Sequence, residues 1–137
     1  MTINAAVLVP AHSLPHRTPL ELLGLARRGL SEARNLDAYA ASYAAAHLAA
    51  LRAAAAVLAA RARPAPSGRR RITSVWVLLT MVAPELGEWA AFFAAGAAKR
   101  SAAESGIAVV TAEEADHLIF HAARFIEVVQ EALGFSR

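Results

Sequence analysis

Val82–Arg100 reads VAPELGEWAAFFAAGAAKR, and its two halves ask for different neighbours. The first half carries Trp89, Phe92 and Phe93; the second is Ala and Gly up to Lys99 and Arg100. Pro84 suits the first position of a helix, because its missing N–H would have no partner there. Glu85 and Glu88 near the start, and Lys99 and Arg100 toward the end, complement the helix dipole. Gly106 sits where a C-terminal cap belongs. The spacing therefore predicts one helix from Pro84 to Ser105, with Leu86, Phe93 and Ala97 in one stripe flanked by Trp89, Phe92 and Gly96. Each ring can bury roughly 150–250 Å² and so anchor a core. The bare half lets another backbone approach closely. Two occupants fit that smooth surface: a second helix of the same chain, or the same face of a second copy in an isologous dimer. Trp89, Phe92, Phe93 and Gly96 are accordingly the candidate interface residues.

The matching smooth helix lies upstream. Residues 38–62 are mostly Ala, with Tyr39, Tyr43, Ala46, Ala50, Ala54 and Leu58 at helical spacing. Asp37 is placed to cap this helix, and Pro64 and Pro66 to end it. Before it, Thr18, Pro19 and Glu21 form a capping box with Pro at the first helical position. That predicts a helix through Leu22, Leu23, Ala26 and Leu30 to about Ala33, broken by Asn35. Ser74–Val82 reads as a short, almost wholly apolar helix. Thr111 and Glu114 make a second capping box, opening a helix whose Ala115, Leu118, Ala122, Phe125, Val129 and Ala132 share one face before Gly134 stops it. Residues 1–17 show no helical period and read as an extended or disordered arm ahead of a single domain, 18–137. The β-branched runs at Val7–Val9 and Ile107–Val110 are isolated, so the class is all-α: an antiparallel bundle of four long helices plus one short one.

Composition narrows the chemistry. The chain has 137 residues, the size of one domain, and 36 of them are Ala, the best helix former. There is no cysteine, which excludes a disulfide framework, a cysteine-ligated zinc and a thiol nucleophile. The amino-terminal residues lack the pattern of a signal peptide, and Ala38–Ala60 reads as too weakly apolar to span a bilayer. The expectation is a cytoplasmic protein with no membrane partner. Thirteen Arg against one Lys, together with the Ala excess, suggest a GC-rich bacterial genome. The net charge of +3 is unevenly spread: residues 38–84 carry six Arg and no acid, residues 85–137 carry four bases and eight acids. Such blocks can pair within a chain, between copies, or with an outside polyanion.

The densest basic cluster, Arg61, Arg63, Arg69, Arg70 and Arg71, surrounds a Pro/Gly loop and is the candidate nucleic-acid contact. No aromatic interleaves with it, so no stacking platform is indicated. Glu113, His117 and His121 have the i, i+4 spacing of helical metal ligands. Residues 117–121 read HLIFH rather than His-Glu-x-x-His, and no metal or other cofactor is expected. His47 is expected to be a hydrogen-bonded packing residue. No catalytic residue is assigned.

The stretches AAHLAALRAAAAVLAARARP, VWVLLTMVAPELGEWAAFFAAGAAKRSAAESG and TAEEADHLIFHAARFIEVVQEALG, with the basic loop after the first, resemble small actinobacterial proteins of the HEPN superfamily (higher eukaryotes and prokaryotes nucleotide-binding). The resemblance covers about residues 18–134 and implies a four- or five-helix bundle, commonly dimeric. Many HEPN proteins are ribonucleases of toxin, CRISPR or antiphage systems, with an Arg followed after four to six residues by a His. No Arg here stands at that distance before a His. The resemblance thus implies a non-catalytic homodimer that binds or scaffolds a protein or nucleic-acid partner. The alternative is a divergent ribonuclease or nucleic-acid-binding protein of a toxin, defence or DNA-repair system.

Overall fold

The computed structural model describes residues 7–9, 15–64, 74–107 and 109–135. Helix α1 spans Pro19–Asn35 and begins with the expected capping box. The Thr18 hydroxyl accepts from Glu21 N at 3.1 Å, and the Glu21 carboxylate accepts from Thr18 N at 2.9 Å. Its buried residues are Leu22, Leu23, Ala26, Leu30 and Ala33. Asn35 does not break the helix but closes it, donating from Nδ2 to Ser31 O at 2.8 Å.

Helix α2, Tyr39–Arg61, follows after three residues. Asp37 does not cap it; Ala38 holds the cap position without a side-chain bond, and the Ser42 hydroxyl turns back to Leu36 O at 3.3 Å. A Cβ on Gly29 would stand 3.5 Å from Ala49 Cβ, so α1 folds back along α2 at close range. The buried set of α2 is wider than the stripe expected from its sequence. Ala46, Ala49, Ala50, Ala53, Ala54, Ala56 and Val57 are all fully covered, while Tyr39, at the start of the expected stripe, is exposed. Helices α1, α3, α5 and α6 all pack on α2. By length and hydropathy α2 passes as a membrane-spanning candidate, against the expectation from its Ala content, His47 and Arg52. Its apolarity serves burial in the bundle, where 61% of its most apolar window is covered.

The chain leaves the helix at Arg61, and Ala62–Pro64 run extended as β2, pairing in parallel with β1, Val7–Val9. Val7 lies opposite Ala62, Leu8 opposite Arg63 and Val9 opposite Pro64. The second helix therefore stops one residue before Ala62, and the Val7–Val9 run is paired rather than isolated. A residue preceding Pro is driven out of the helical region toward the extended one, which accounts for Arg63.

After α3 (Val75–Val82), a 3-10 turn at Pro84–Leu86 leads into α4 (Gly87–Ala95) and α5 (Ala97–Glu104). The expected unbroken helix from Pro84 to about Ser105 is thus corrected at its start and in the middle, while its end falls where expected. Pro84 tightens the first turn, and Gly96 carries a one-residue hitch, its N–H reaching Phe93 O at 3.1 Å in an i to i−3 bond. Helix α6, Ala112–Ala132, starts at the second capping box, Thr111 with Glu114. Gly106 and Gly134 both have positive φ, as the residue just past a helix end requires.

Directions follow from contacts. Going along α2, Arg61 pairs with Glu85, His47 bonds Phe93 O and Tyr43 lies under Lys99, so α4–α5 runs against α2. Arg61 also donates to Ala132 O at 3.3 Å, while Tyr43 and Leu118 line one cleft, so α6 runs with α2. Successive long elements alternate in direction, which is the antiparallel bundle expected.

Candidate interaction surface

The aromatic half of Val82–Arg100 builds a ring layer between α4 and α6. Phe93 is buried and stacks on Trp76 with centroids 5.3 Å apart, with Phe125 at 5.2 Å. Trp89 and Phe92 are half-buried: Trp89 lies 5.5 Å from Phe125, and Phe92 lies 4.8 Å from the His121 ring. His121 stands against His117, with centroids 4.2 Å apart, and against Phe120 at 5.3 Å in an edge-on arrangement. The layer thus grades outward from sealed phenyl rings to exposed imidazole and phenyl groups.

This grading corrects the candidate interface. Phe93 is core and reaches no outside surface. Gly96 faces inward: a Cβ there would come to 3.0 Å from the Tyr43 hydroxyl and 3.6 Å from His47 Cδ2. The smooth half of the segment is used within the chain, against α2. Trp89 and Phe92 keep partly open edges.

Two residues of the basic cluster have hydrogen-bond partners within the chain. Arg61 donates to Glu85 at 2.7 Å as well as to the Ala132 carbonyl, tying the ends of α2 and α6 to the Pro84 turn. The hydrogen bond from Arg61 holds the Glu85 carboxyl below the usual carboxylate range. Arg63 is exposed and donates to Ala62 O at 3.1 Å. Arg69, Arg70 and Arg71 lie outside the described residues.

Among the three weak metal candidates, His121 Nδ1 donates to the His117 carbonyl at 2.8 Å, and Glu113 is exposed. The three do not gather into a metal-holding group among the described residues. His47 is sealed, with 1% of its surface exposed, and its Nε2 donates to Phe93 O at 2.8 Å. Desolvation pushes its imidazole below the ordinary histidine range, helped by the Arg100 charge. Its Nδ1 has no partner among the described residues, which fits the neutral ring.

An open cleft of about 340 Å³ lies where α2, the Gly96 hitch and the first turns of α6 meet. Tyr43, Phe92, Lys99, Glu114 and His117 line it. Lys99 pairs with Glu114, and its ammonium sits 5.8 Å from the Tyr43 ring centre. The Lys99 hydrogen bond, then the Thr111 backbone bond, lower the Glu114 carboxyl, while burial raises the Tyr43 phenol. Sequence reasoning found Glu114 as a cap but not its second role, and it missed Tyr43 and Lys99 at this site. Their spacing of 56 positions carries no local signal. It also passed over Phe120, which is 61% exposed on the outer side of α6. The available sign was an aromatic standing off the apolar register of that helix.

Fold and surface together define an all-α bundle with one aromatic and histidine-bearing face. The model of the SAV_6107-like HEPN family matches residues 33–130, from the end of α1 nearly to the end of α6. The chain belongs to that family of HEPN domains. Searches of curated proteins and of solved structures give no match.

Proposed function

We propose that this chain is a non-catalytic HEPN homodimer that binds or scaffolds a macromolecular partner. The observation that carries the reading is the state of His47, His117 and His121. Ribonuclease chemistry needs an acid and a base at the attacking and leaving oxygens, and a cation near the phosphate. His47 is sealed under Phe93, Trp76 and Gly96, where no substrate oxygen reaches it. His117 and His121 share their surface with Glu113 and Asp116, and the nearby Arg124 is paired to Glu127 at 2.7 Å. Carboxylates at that position repel a phosphate backbone. The test is incubation of pure protein with structured RNA at low salt, with and without divalent metal. No cleavage is expected; cleavage abolished by His117→Ala or His121→Ala would replace this reading with the divergent ribonuclease.

Nucleic acid is the second candidate partner. Its support is the run of exposed Arg27, Arg28 and Arg34 on α1, none in an ion pair among the described residues, on a chain whose loop adds Arg69–Arg71. Anisotropy titrations at several salt concentrations test it. Each phosphate contact adds about 0.9 to the salt slope on duplex DNA, so replacing Arg69, Arg70 and Arg71 by Ala should flatten it by roughly two to three units if all three bind. A slope that survives the substitution moves the contact to α1, and no binding at low salt leaves a protein partner.

A further inference from the structure

We propose that the outer ridge of α6 is a self-complementary contact, on which two copies of this chain pair antiparallel about a two-fold axis at Phe120. Asp116 of one copy then faces Arg124 of the other, twice. The proposal rests on the dimeric reading above and assigns the surface that makes the dimer.

The first observation is an exposed aromatic with no cover. Ala115, Leu118, Ala122, Phe125, Ile126 and Val129 of α6 are buried, whereas Asp116, Phe120 and Arg124 point to solvent. Phe120 is backed by the His121 ring, itself lying against Phe92, so a rigid wall stands behind the exposed phenyl. Other apolar residues are exposed, among them Leu20, Tyr39, Val77, Met81 and Val109, but none of them has an acid four residues to one side and a base four residues to the other.

The second observation is the charge pattern about that ring. Positions 116, 120 and 124 are steps of four, one inclined row of the helix surface. Rows of this kind interdigitate in the commonest class of helix packing, at a crossing of about 50°. A two-fold axis beside the middle residue of such a row, so that each row lies in the groove next to its copy, exchanges the row's ends. Here the ends are an acid and a base, each about 6 Å along the helix from Phe120. An isologous contact needs this property, since whatever residue 116 meets must be residue 124 and the reverse. Asp116 has no ion pair among the described residues. Arg124 binds Glu127, but both side chains are more than half exposed, so its guanidinium can accept a second carboxylate.

The same axis brings Glu113 of one copy toward Glu127 of the other. They stand about 10 Å along the helix from the axis, where crossed helices have diverged. That repulsion sits in water at the rim, and Glu113→Gln should tighten the dimer.

Sedimentation velocity over a concentration series, at fixed ionic strength, reads the dissociation constant. Asp116→Arg and Arg124→Asp, each alone, should weaken the dimer about tenfold or more, because each places like charges opposite one another twice. The double variant, Asp116→Arg with Arg124→Asp, should return to within about threefold of wild type. Phe120→Glu should leave monomer. Circular dichroism and thermal unfolding confirm that each variant is folded; all three positions are exposed. A monomeric wild type at high micromolar concentration would overturn the dimeric reading and this one with it. A dimeric wild type whose constant ignores both single charge changes, or a double variant weaker than either single one, would leave the dimer standing and remove its axis from α6.

Discussion

Helices α2 and α6 are nearly equal in length, 23 and 21 residues, and run the same way through the bundle, yet they use their surfaces in opposite manners. Helix α2 is covered on most sides by Ala-to-backbone approach, and its small side chains let four other helices reach it. Helix α6 is two-sided: one face supplies large groups to the ring layer, the other keeps acids, His117 and Phe120 in solvent, with His121 half-buried between them. Apolar content alone does not distinguish them, since α2 is the more apolar helix and holds the smaller side chains. Close packing depends on volume at each position, not on hydropathy summed along a helix. It follows that α6 should be broken by removing volume and α2 by adding it.

The largest effect is expected on α6. Phe125 is fully buried among Trp76, Trp89 and Phe93. Phe125→Ala should cost about 3–5 kcal/mol by lost burial and the cavity left behind. Phe120→Ala, five residues earlier on the exposed side, should change monomer stability by no more than about 0.5 kcal/mol. Urea unfolding of the two variants, at protein concentrations below the dimer's dissociation constant, measures the contrast. Equal losses would mean that the outer face is already packed.

On α2 the reverse change is the damaging one. Ala50 has no exposed surface, and Ala50→Leu forces three extra heavy atoms between helices already in contact. The cost is about 1–3 kcal/mol. Gly96→Leu probes the same seam from the other side, where the new Cβ meets the Tyr43 hydroxyl. It should fall in the same range, again about 1–3 kcal/mol. A neutral Ala50→Leu in urea would show that α2 has room the structure does not.

Much of this architecture was legible along the chain, and the reason is local. Both capping boxes depend on residues three apart, so Thr18 with Glu21 and Thr111 with Glu114 announce the starts of α1 and α6. The apolar registers of those two helices name their buried residues almost one for one, apart from Ala132, which is exposed, and Ile126. Helix α2 was harder because Ala is helical and apolar at every position, so no register separates inside from outside. What was not legible joins distant positions. Nothing near Arg61 in sequence says that Glu85 and the end of α6 lie beside it. Gly96 left open whether its flat face meets a helix of the same chain or a second copy, because nothing nearby in sequence says that Tyr43 lies against it. Pairing of Val7–Val9 with Ala62–Pro64 is of the same kind.

A smaller test compares the two helix starts. Thr18→Ala and Thr111→Ala each remove a hydroxyl that accepts one backbone N–H. Each should cost about 1 kcal/mol. The Thr111 change should be the larger, because Glu114 also holds Lys99 and the Thr111 backbone helps to fix that carboxylate. Thermal unfolding of both variants ranks them; a larger loss at Thr18 would mean that the Lys99 pair holds Glu114 without help.

The smallest effect at neutral pH, and the one that ties α2 to the ring layer, is carried by His47. Folded, its imidazole is depressed chiefly by desolvation and next by the Arg100 guanidinium; the Phe93 carbonyl and Glu104 oppose the shift without cancelling it. Unfolded, the ring returns to its ordinary value of 6.5. Between those two values the unfolded chain binds the proton and the folded chain does not. Stability must then rise with pH across that window. The contribution is fully present above about pH 6.5 and is lost as pH falls toward the depressed folded value. The chain carries four other histidines, so the comparison needs a variant that silences His47 alone. Gln can place its amide N–H near the position of Nε2 and keep the bond to Phe93 O without titrating. Urea unfolding of wild type and His47→Gln, repeated from pH 7.5 down to 5, should show curves that diverge only below about 6.5, the wild type falling more steeply. Parallel curves would mean that His47 takes up its proton in the folded state as readily as in the unfolded one, and that the seam between α2 and α4 is wetter than its 1% exposure implies.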